Sequence, residues 1–451
     1  MFIIFSIRFL LLITLIILCN PAANASLISF PGAEGFGAIS IGGRGGRIIR
    51  VSNLNPDGPG SFQAACEASG PRIVIFEVSG VIRGNISIRD SNITIAGQTA
   101  PSPGITLEGR LFSWPKNDLD RLHDIIIRFL RIRPAPSTGH NGDALQLPNT
   151  ERVMLDHLSL SWANDEVIDI IYSSEVTLQW STIEESDPRG HGKGVPHNYA
   201  VLSAYPGSGN ITFHHNLFAN HSRRIPSLTP ETPGKYDDFR NNLIYNFREG
   251  LGHDGHKPVA GINLIGNYYK RGSESWTVTP FSFSEDGHYY LHDNYLEGYG
   301  SLGQPEHKYK IWPLWLKFRR NGAFHNKPFP VAKVNTETAK NSYHSILKLA
   351  GAFPRDRVTK RTINEIETGK GSWRRNAPDN PDDAWYLKDL PVEKLAIDSD
   401  KDGIPDIWET SNHLDKNDPN DYGRIMKSGY TAIEEYINDR ALELINKYSN
   451  Y

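Results

Sequence analysis

Cysteine is almost missing from this chain. Only Cys19 and Cys66 occur in 451 residues, and Cys19 falls in an apolar leader. With one cysteine left, no internal disulfide can form, so stability rests on core packing and bound metal. An excess of charge of either sign is missing too. The formal net charge of -3 excludes the polycationic surface that nucleic-acid binding calls for. A polyanionic partner must therefore meet a local basic patch. Hydrophobic residues make up only 39% of the chain, while glycine reaches 40 residues. That balance favours a turn-rich all-β body over a helical one.

Long apolar runs are confined to the N-terminus. Residues 1–25 carry Arg8 as their only charge, an apolar stretch from Phe9 to Leu18 broken by Thr14, then Pro21 and the small residues Ala23-Asn24-Ala25. This is the layout of a cleaved signal peptide, and the run is short for a membrane span. The mature protein is expected to be a secreted monomer (extracellular, or periplasmic in a bacterium) with no membrane partner after cleavage. Asn-x-Ser/Thr sequons at Asn85, Asn92, Asn210 and Asn220 would make a glycoprotein only in a eukaryotic secretory host.

From about Arg72 to Gly300, short β-rich runs recur between turn residues. Examples are Ile73–Phe76, Ile93–Ile95, Ile125–Ile127, Val153–Leu155, Val176–Leu178 and Ile211–Phe213. Four later runs share one register, an apolar residue followed three positions on by asparagine: Phe213/Asn216, Phe239/Asn242, Leu264/Asn267 and Leu291/Asn294. Their asparagines lie 26, 25 and 27 residues apart, a period that marks a stacked repeat. Asparagine suits such a bend because its amide bonds the turn backbone and the next asparagine, and it tolerates left-handed backbone. The expected fold is an all-β, right-handed parallel β-helix (solenoid). Gly60 to Cys66 reads as an N-capped amphipathic helix that plugs the open end. The expected division is 1–25 signal peptide, 26–300 β-helix catalytic domain, 301–395 an extension packing on the solenoid, and 396–451 a small helical, calcium-loop tail. Helical spacing appears at Ile346–Ala350, Arg355–Thr368 and Tyr430–Asn446.

Chemistry concentrates in Asn141-Gly142-Asp143-Ala144-Leu145, Leu155-Asp156-His157, Asp165-Glu166-Val167-Ile168-Asp169, His214-His215-Asn216 and Arg223-Arg224-Ile225-Pro226. In this order they resemble the polysaccharide lyase family of pectate lyases and pollen allergens. Phe30-Pro31-Gly32-Ala33-Glu34-Gly35-Phe36-Gly37 and Gly43-Arg44-Gly45-Gly46 resemble its microbial pectate lyase C branch, and the likeness spans about residues 28 to 300. The resemblance implies calcium held by Asp143, Asp165 and Asp169. Hard Ca²⁺ takes several oxygen ligands and leaves room for substrate. Glu166 could assist, though strand alternation would turn it away from Asp165. Asn141 stands where some members have a further Asp.

The resemblance further implies that Arg224 is the base that removes the C5 proton of a uronate in polygalacturonate (pectin). A guanidinium is a poor base in water, so the role needs an orienting site and an acidified proton. Many members read Arg-x-Pro-x-x-Arg; here the last position is Thr229. Arg223, Arg240 and Lys257 are candidates for binding the substrate carboxylate, and Lys193 stands nearest the expected substrate-binding lysine. Arg131, Arg133, Lys235, Arg248, Lys270 and Arg271 could add positive potential to a groove. Asp156 and His157 read as structural.

The tail carries an independent signal. Asp398-x-Asp400-x-Asp402-Gly403-x-x-Asp406-x-x-Glu409 fits a calcium loop with acids at positions 1, 3, 5, 9 and 12 and glycine at 6, a structural rather than catalytic site. Two other readings compete. A β-helical polygalacturonase would need an acid and a base carboxylate about 6.5 to 9.5 Å apart, and Asp187 beside Gly190-His191-Gly192 lacks a paired Asp. A binding β-helix without catalysis would have no need of Arg224 and the acid trio together.

Overall fold

The structure is a computed structural model that describes residues 27–117, 120–135, 142–189, 197–252, 260–275, 279–284, 286–302 and 323–449. Apolar residues recur at one position per turn, so the chain buries them by winding into a parallel β-helix. Three sheets of eleven, ten and six strands run along it. Strand pairing inside these sheets is parallel, apart from the antiparallel contact of Tyr295–Leu296 with Gly300–Ser301.

The register explains the repeat. On the eleven-stranded sheet Val74, Ile95, Ile127, Leu155, Leu178, Phe213, Phe239, Leu264 and Leu291 stand opposite one another in sequence. They form one inward column, buried in the main core except for partly buried Leu291. Each such side chain contributes roughly 1.5–3 kcal/mol on burial. Where this sheet hands over to the ten-stranded sheet, the bend is two residues long. The ladder of Asn216, Asn242, Asn267 and Asn294 occupies its second position. Backbone N–H groups of Asn216, Asn242 and Asn267 donate to the next asparagine's Oδ1 at 3.0, 2.9 and 3.1 Å. Each Nδ2 donates to a carbonyl one turn back, as Asn242 does to Phe213 at 2.9 Å.

The left-handed backbone falls one residue earlier than expected, on His215, Asn241, Gly266 and Asp293. Earlier turns place Phe129, His157 and Trp180 there, also at positive φ. Those bulky residues accept the strain because their rings stack: Phe129 on His157 at 4.8 Å and Trp180 on His215 at 4.4 Å.

The helix Phe62–Glu67 closes the N-terminal end. Ser61 caps it by accepting from Ala64 N, and Phe62, Ala65 and Cys66 are buried. Fully buried Arg72 donates to the carbonyls of Ala65 and Cys66, which the helix leaves unpaired at its C-terminus. Burial pushes the Cys66 thiol up to about 12, so it is an inert core residue.

The eleven- and ten-stranded sheets are covered on their outer faces. The glycine-rich segment after Phe30 lies on Ile126 and Met154. Glycine is required there: a Cβ on Gly37 would meet Val153 O at 2.1 Å, and one on Gly43 would meet Arg72 O at 1.8 Å. The tail covers Ile73, Ile75 and Ala96 with Ile404, Ile433 and Ile437. The helices Ala339–Leu349 and Arg357–Thr368 place Ile346 and Ile366 on Leu217, Ala219, Leu243 and Tyr245 of the ten-stranded sheet. Arg131 and Arg133 are buried here, the latter in a two-pronged contact with Asp356 at 2.8 and 3.0 Å. They are structural and add nothing to a groove. Buried Asn220 is bonded to Asn246 and Glu365, which leaves no room for a glycan. Among the described residues no helix is long and apolar enough to cross a membrane.

Candidate active site

The clusters that join these added segments to the solenoid contain no residue from the strands of the six-stranded sheet, among the described residues. That face gathers the acids. Its strands are short, and alternation turns Leu145, Ile168 and Val201 into the core while Gln146, Asp169 and Leu202 line the outside. Asp143 stands one turn before Glu166, whose backbone N–H donates to Asp143 Oδ1 at 3.1 Å. Oxygens of Asp143, Asp165 and Glu166 lie within 4.8 Å of one another. Asp169 is close enough to disfavour the ionised form of Asp143.

Glu166 departs from the alternation expected of it. Asp165 sits in the bend before the strand Glu166–Asp169 rather than inside it, so the two-residue period does not apply and both acids face the same site. Burial pushes the Asp143, Glu166 and Asp169 carboxyls above the usual range. Neighbouring acids add to the effect, while Arg224 draws Glu166 partly back down and Gln146 does so for Asp169. A set of buried carboxylates that repel one another fits a divalent cation. Asp169 Oδ1, buried and without a hydrogen-bond partner among the described residues, adds a hard oxygen donor.

Arg224 reaches this cluster from the following turns. It adopts φ 54, a left-handed conformation that costs an L-residue about 1–2 kcal/mol. Its carbonyl accepts from Val201 N at 2.9 Å, which holds the turn. The guanidinium pairs with Glu166 and lies over the Tyr199 ring, 4.6 Å from its centroid. Arg223 shares that ring at 5.9 Å and pairs with Glu249 at 2.9 Å. His197 stacks on Tyr199 and holds Asp165 at 3.1 Å.

The structure does not bring Arg240 here. It ends a strand of the eleven-stranded sheet, where Asp238 and Thr336 hold its guanidinium. Asn141, Lys193, Lys257 and Gly190-His191-Gly192 lie outside the described residues. Thr229 is buried and offers no cationic replacement. Asp187 is paired with Arg189 at 2.6 Å. Asp156 and His157 are buried, bonded to each other at 2.8 Å and to Arg128 and Gln179, in keeping with a structural role. Tyr199, His197 and Glu249 belong to the site without having been singled out from sequence.

The tail loop also converges. Asp398, Asp400 and Asp402 form one close group, and Asp402, Glu409 and Asp421 another. Buried atoms without a hydrogen bond there are Asp400 Oδ2, Asp402 Oδ2, both Glu409 oxygens and Asp421 Oδ1. Asp406 departs from the loop template. It turns to Ser399, accepting from N and Oγ at 2.8 Å each, and Asp421 from a later turn joins in its place.

No protein-family model matches the chain. A probable pectate lyase C of Aspergillus fumigatus is 32% identical over 437 residues, covering 92% of this chain and 94% of its own. The chain belongs to the pectate lyase C family. A second member, from Aspergillus terreus, is 32% identical over 456 residues, covering 95% of this chain and 97% of its own. The β-helix agrees with the crystal structure of Jun a 1, the major cedar pollen allergen. That likeness has a TM-score of 0.50 and 17% identity, covering 71% of this chain and 92% of the allergen.

Proposed function

We propose that this chain is a calcium-dependent pectate lyase that cleaves de-esterified polygalacturonate by β-elimination and leaves 4,5-unsaturated oligogalacturonates. The observation that carries the reading is the gathering of Asp143, Asp165, Glu166 and Asp169 beside Arg224 on the six-stranded sheet. Calcium bound among these acids supplies charge stabilisation for the uronate carboxylate and acidifies the proton at C5. Arg224 takes that proton at a guanidine nitrogen. For this Arg224 acts in its uncharged form and afterwards returns the proton to solvent; the C5–H electron pair becomes the 4,5 double bond as the bond from C4 to the glycosidic oxygen breaks, and that oxygen leaves with the bonding pair and takes a proton from water. Glu166 and the Tyr199 face fix the direction of the Arg224 side chain, which is 27% exposed. Arg223, over the same ring and 42% exposed, binds a substrate carboxylate.

A second calcium, structural in role, is proposed among Asp398, Asp400, Asp402 and Glu409, with Asp421 as a further ligand. The apolar leader would direct export, which suits a polymer found outside cells. Mass spectrometry of the products tests the reaction type. Eliminated ends lack the water that hydrolysed ends contain, and hydrolysed ends alone would sink the proposal.

A further inference from the structure

Three side chains on the same open sheet have no part in the chemistry above. The strand Leu111–Ser113 turns Leu111 and Ser113 inward, both buried. Alternation therefore sends Arg110, Phe112 and Trp114 outward together. Trp114 is 52% exposed, a large ring for a protein to leave in water. It meets Phe112 edge to face, with centroids 6.4 Å apart. Arg110 lies over the Phe112 ring, 4.4 Å from its centroid. Among the described residues Arg110 has no carboxylate partner, and its buried Nε has no hydrogen bond at all. A cation held flat on an aromatic ring without an anion is preorganised to receive one.

The position is continuous with the acid cluster. Phe112 stands opposite Gln146, and Gln146 opposite Asp169, in one outward row. Two strand spacings put the platform about 10 Å from Asp169. A polymer lying along the sheet reaches both places at once.

We propose that Arg110, Phe112 and Trp114 form a remote binding subsite for the galacturonan chain. A pyranose ring stacks on Trp114 and Phe112, and its carboxylate pairs with Arg110. This rests on the proposed pectate lyase activity and extends it. The subsite contributes to holding long chains and takes no part in bond cleavage.

The test uses Arg110→Gln, Trp114→Ala and Trp114→Tyr in the full chain. Each is measured for KM and kcat on polygalacturonate and on trigalacturonate, with calcium. Arg110→Gln and Trp114→Ala are each expected to raise KM for the polymer about tenfold, the equivalent of one lost stacking or charge-assisted contact, with kcat unchanged. Trigalacturonate bound at the acids should show no such change, and Trp114→Tyr should restore most of the affinity. A second readout is retention in native gels cast with polygalacturonate, in an Arg224→Ala background so that the polymer stays whole. Retention should weaken with Arg110→Gln on polygalacturonate but not on fully methyl-esterified pectin. Unchanged KM and retention in an otherwise active enzyme would overturn the subsite alone, as would a fall in kcat with KM constant. A wild-type chain that neither cleaves nor is retained would overturn the underlying activity, and the subsite with it.

Discussion

Replacing Asn242 with alanine removes a rung of the asparagine ladder at a site with no solvent. Its Oδ1 accepts from Asn216 N at 3.0 Å and from Asn216 Nδ2 at 3.1 Å. Its Nδ2 donates to Phe213 O at 2.9 Å and Asn267 Oδ1 at 3.1 Å. The residue and its ladder neighbours are fully buried, so water cannot replace these bonds. Stranding the Asn216 N–H costs about 1–3 kcal/mol, and each further bond lost about 1 kcal/mol. The expected loss is about 4 to 6 kcal/mol. Asn242→Asp should be no milder, because it keeps the acceptor but sets an oxygen against two acceptors. Urea unfolding followed by tryptophan fluorescence and circular dichroism together measures the loss and checks that the probes coincide. Exposed Asn341 serves as control, its alanine variant expected within about 0.5 kcal/mol of the parent. A loss below about 1 kcal/mol for Asn242→Ala would refute the view that the ladder amides hold the turns together.

Other predictions follow from the tail and the open sheet. Calcium at a hundredfold excess over its dissociation constant should stabilise the tail by about 2.7 kcal/mol; the shift between thermal scans with calcium and with chelator should be smaller for Glu409→Ala and Asp421→Ala than for the parent, leaving only the part due to calcium at the acids around Asp143. Burial alone would raise the Glu393 carboxyl, but hydrogen bonds from Lys447 and Arg440 bring it down to about 2. That contact stabilises the fold above the unfolded carboxylate value of about 4.3 and is lost as pH falls from there toward 2. After allowance for its solvent screening it is worth about 1 kcal/mol, and Glu393→Gln should flatten acid unfolding over that window. Arg223→Ala should raise KM for polygalacturonate about tenfold, whereas Arg240→Ala, bound to Asp238 on another sheet, should leave KM unchanged.

Much of the fold is legible in the sequence because its period is regular. The apolar and asparagine positions from Phe213 to Asn294 are spaced evenly and land in two vertical columns. Unbroken apolar runs such as Ile73–Phe76 and Ile125–Ile127 signal burial on both faces, which the tail and the N-terminal segment supply. What escapes reading is whatever depends on bends and long loops. Glu166 joins the acids because Asp165 lies in a bend. Tyr199 pairs with Glu166 across an interval stretched by residues 185–198, so no period announces it. Asp421 follows Glu409 by a full turn of loop that the calcium template does not cover. Arg240 shares the motif neighbourhood of Arg224 along the chain, yet the solenoid places it on a different face.

The central claim is that the acid cluster and Arg224 perform calcium-dependent elimination. Ultraviolet absorbance of polygalacturonate with the purified mature protein tests it most directly, with calcium and then with excess chelator. The account predicts a steady rise from unsaturated ends that the chelator abolishes and that Arg224→Ala lacks. New reducing ends without absorbance, or absorbance that persists in chelator, would contradict it.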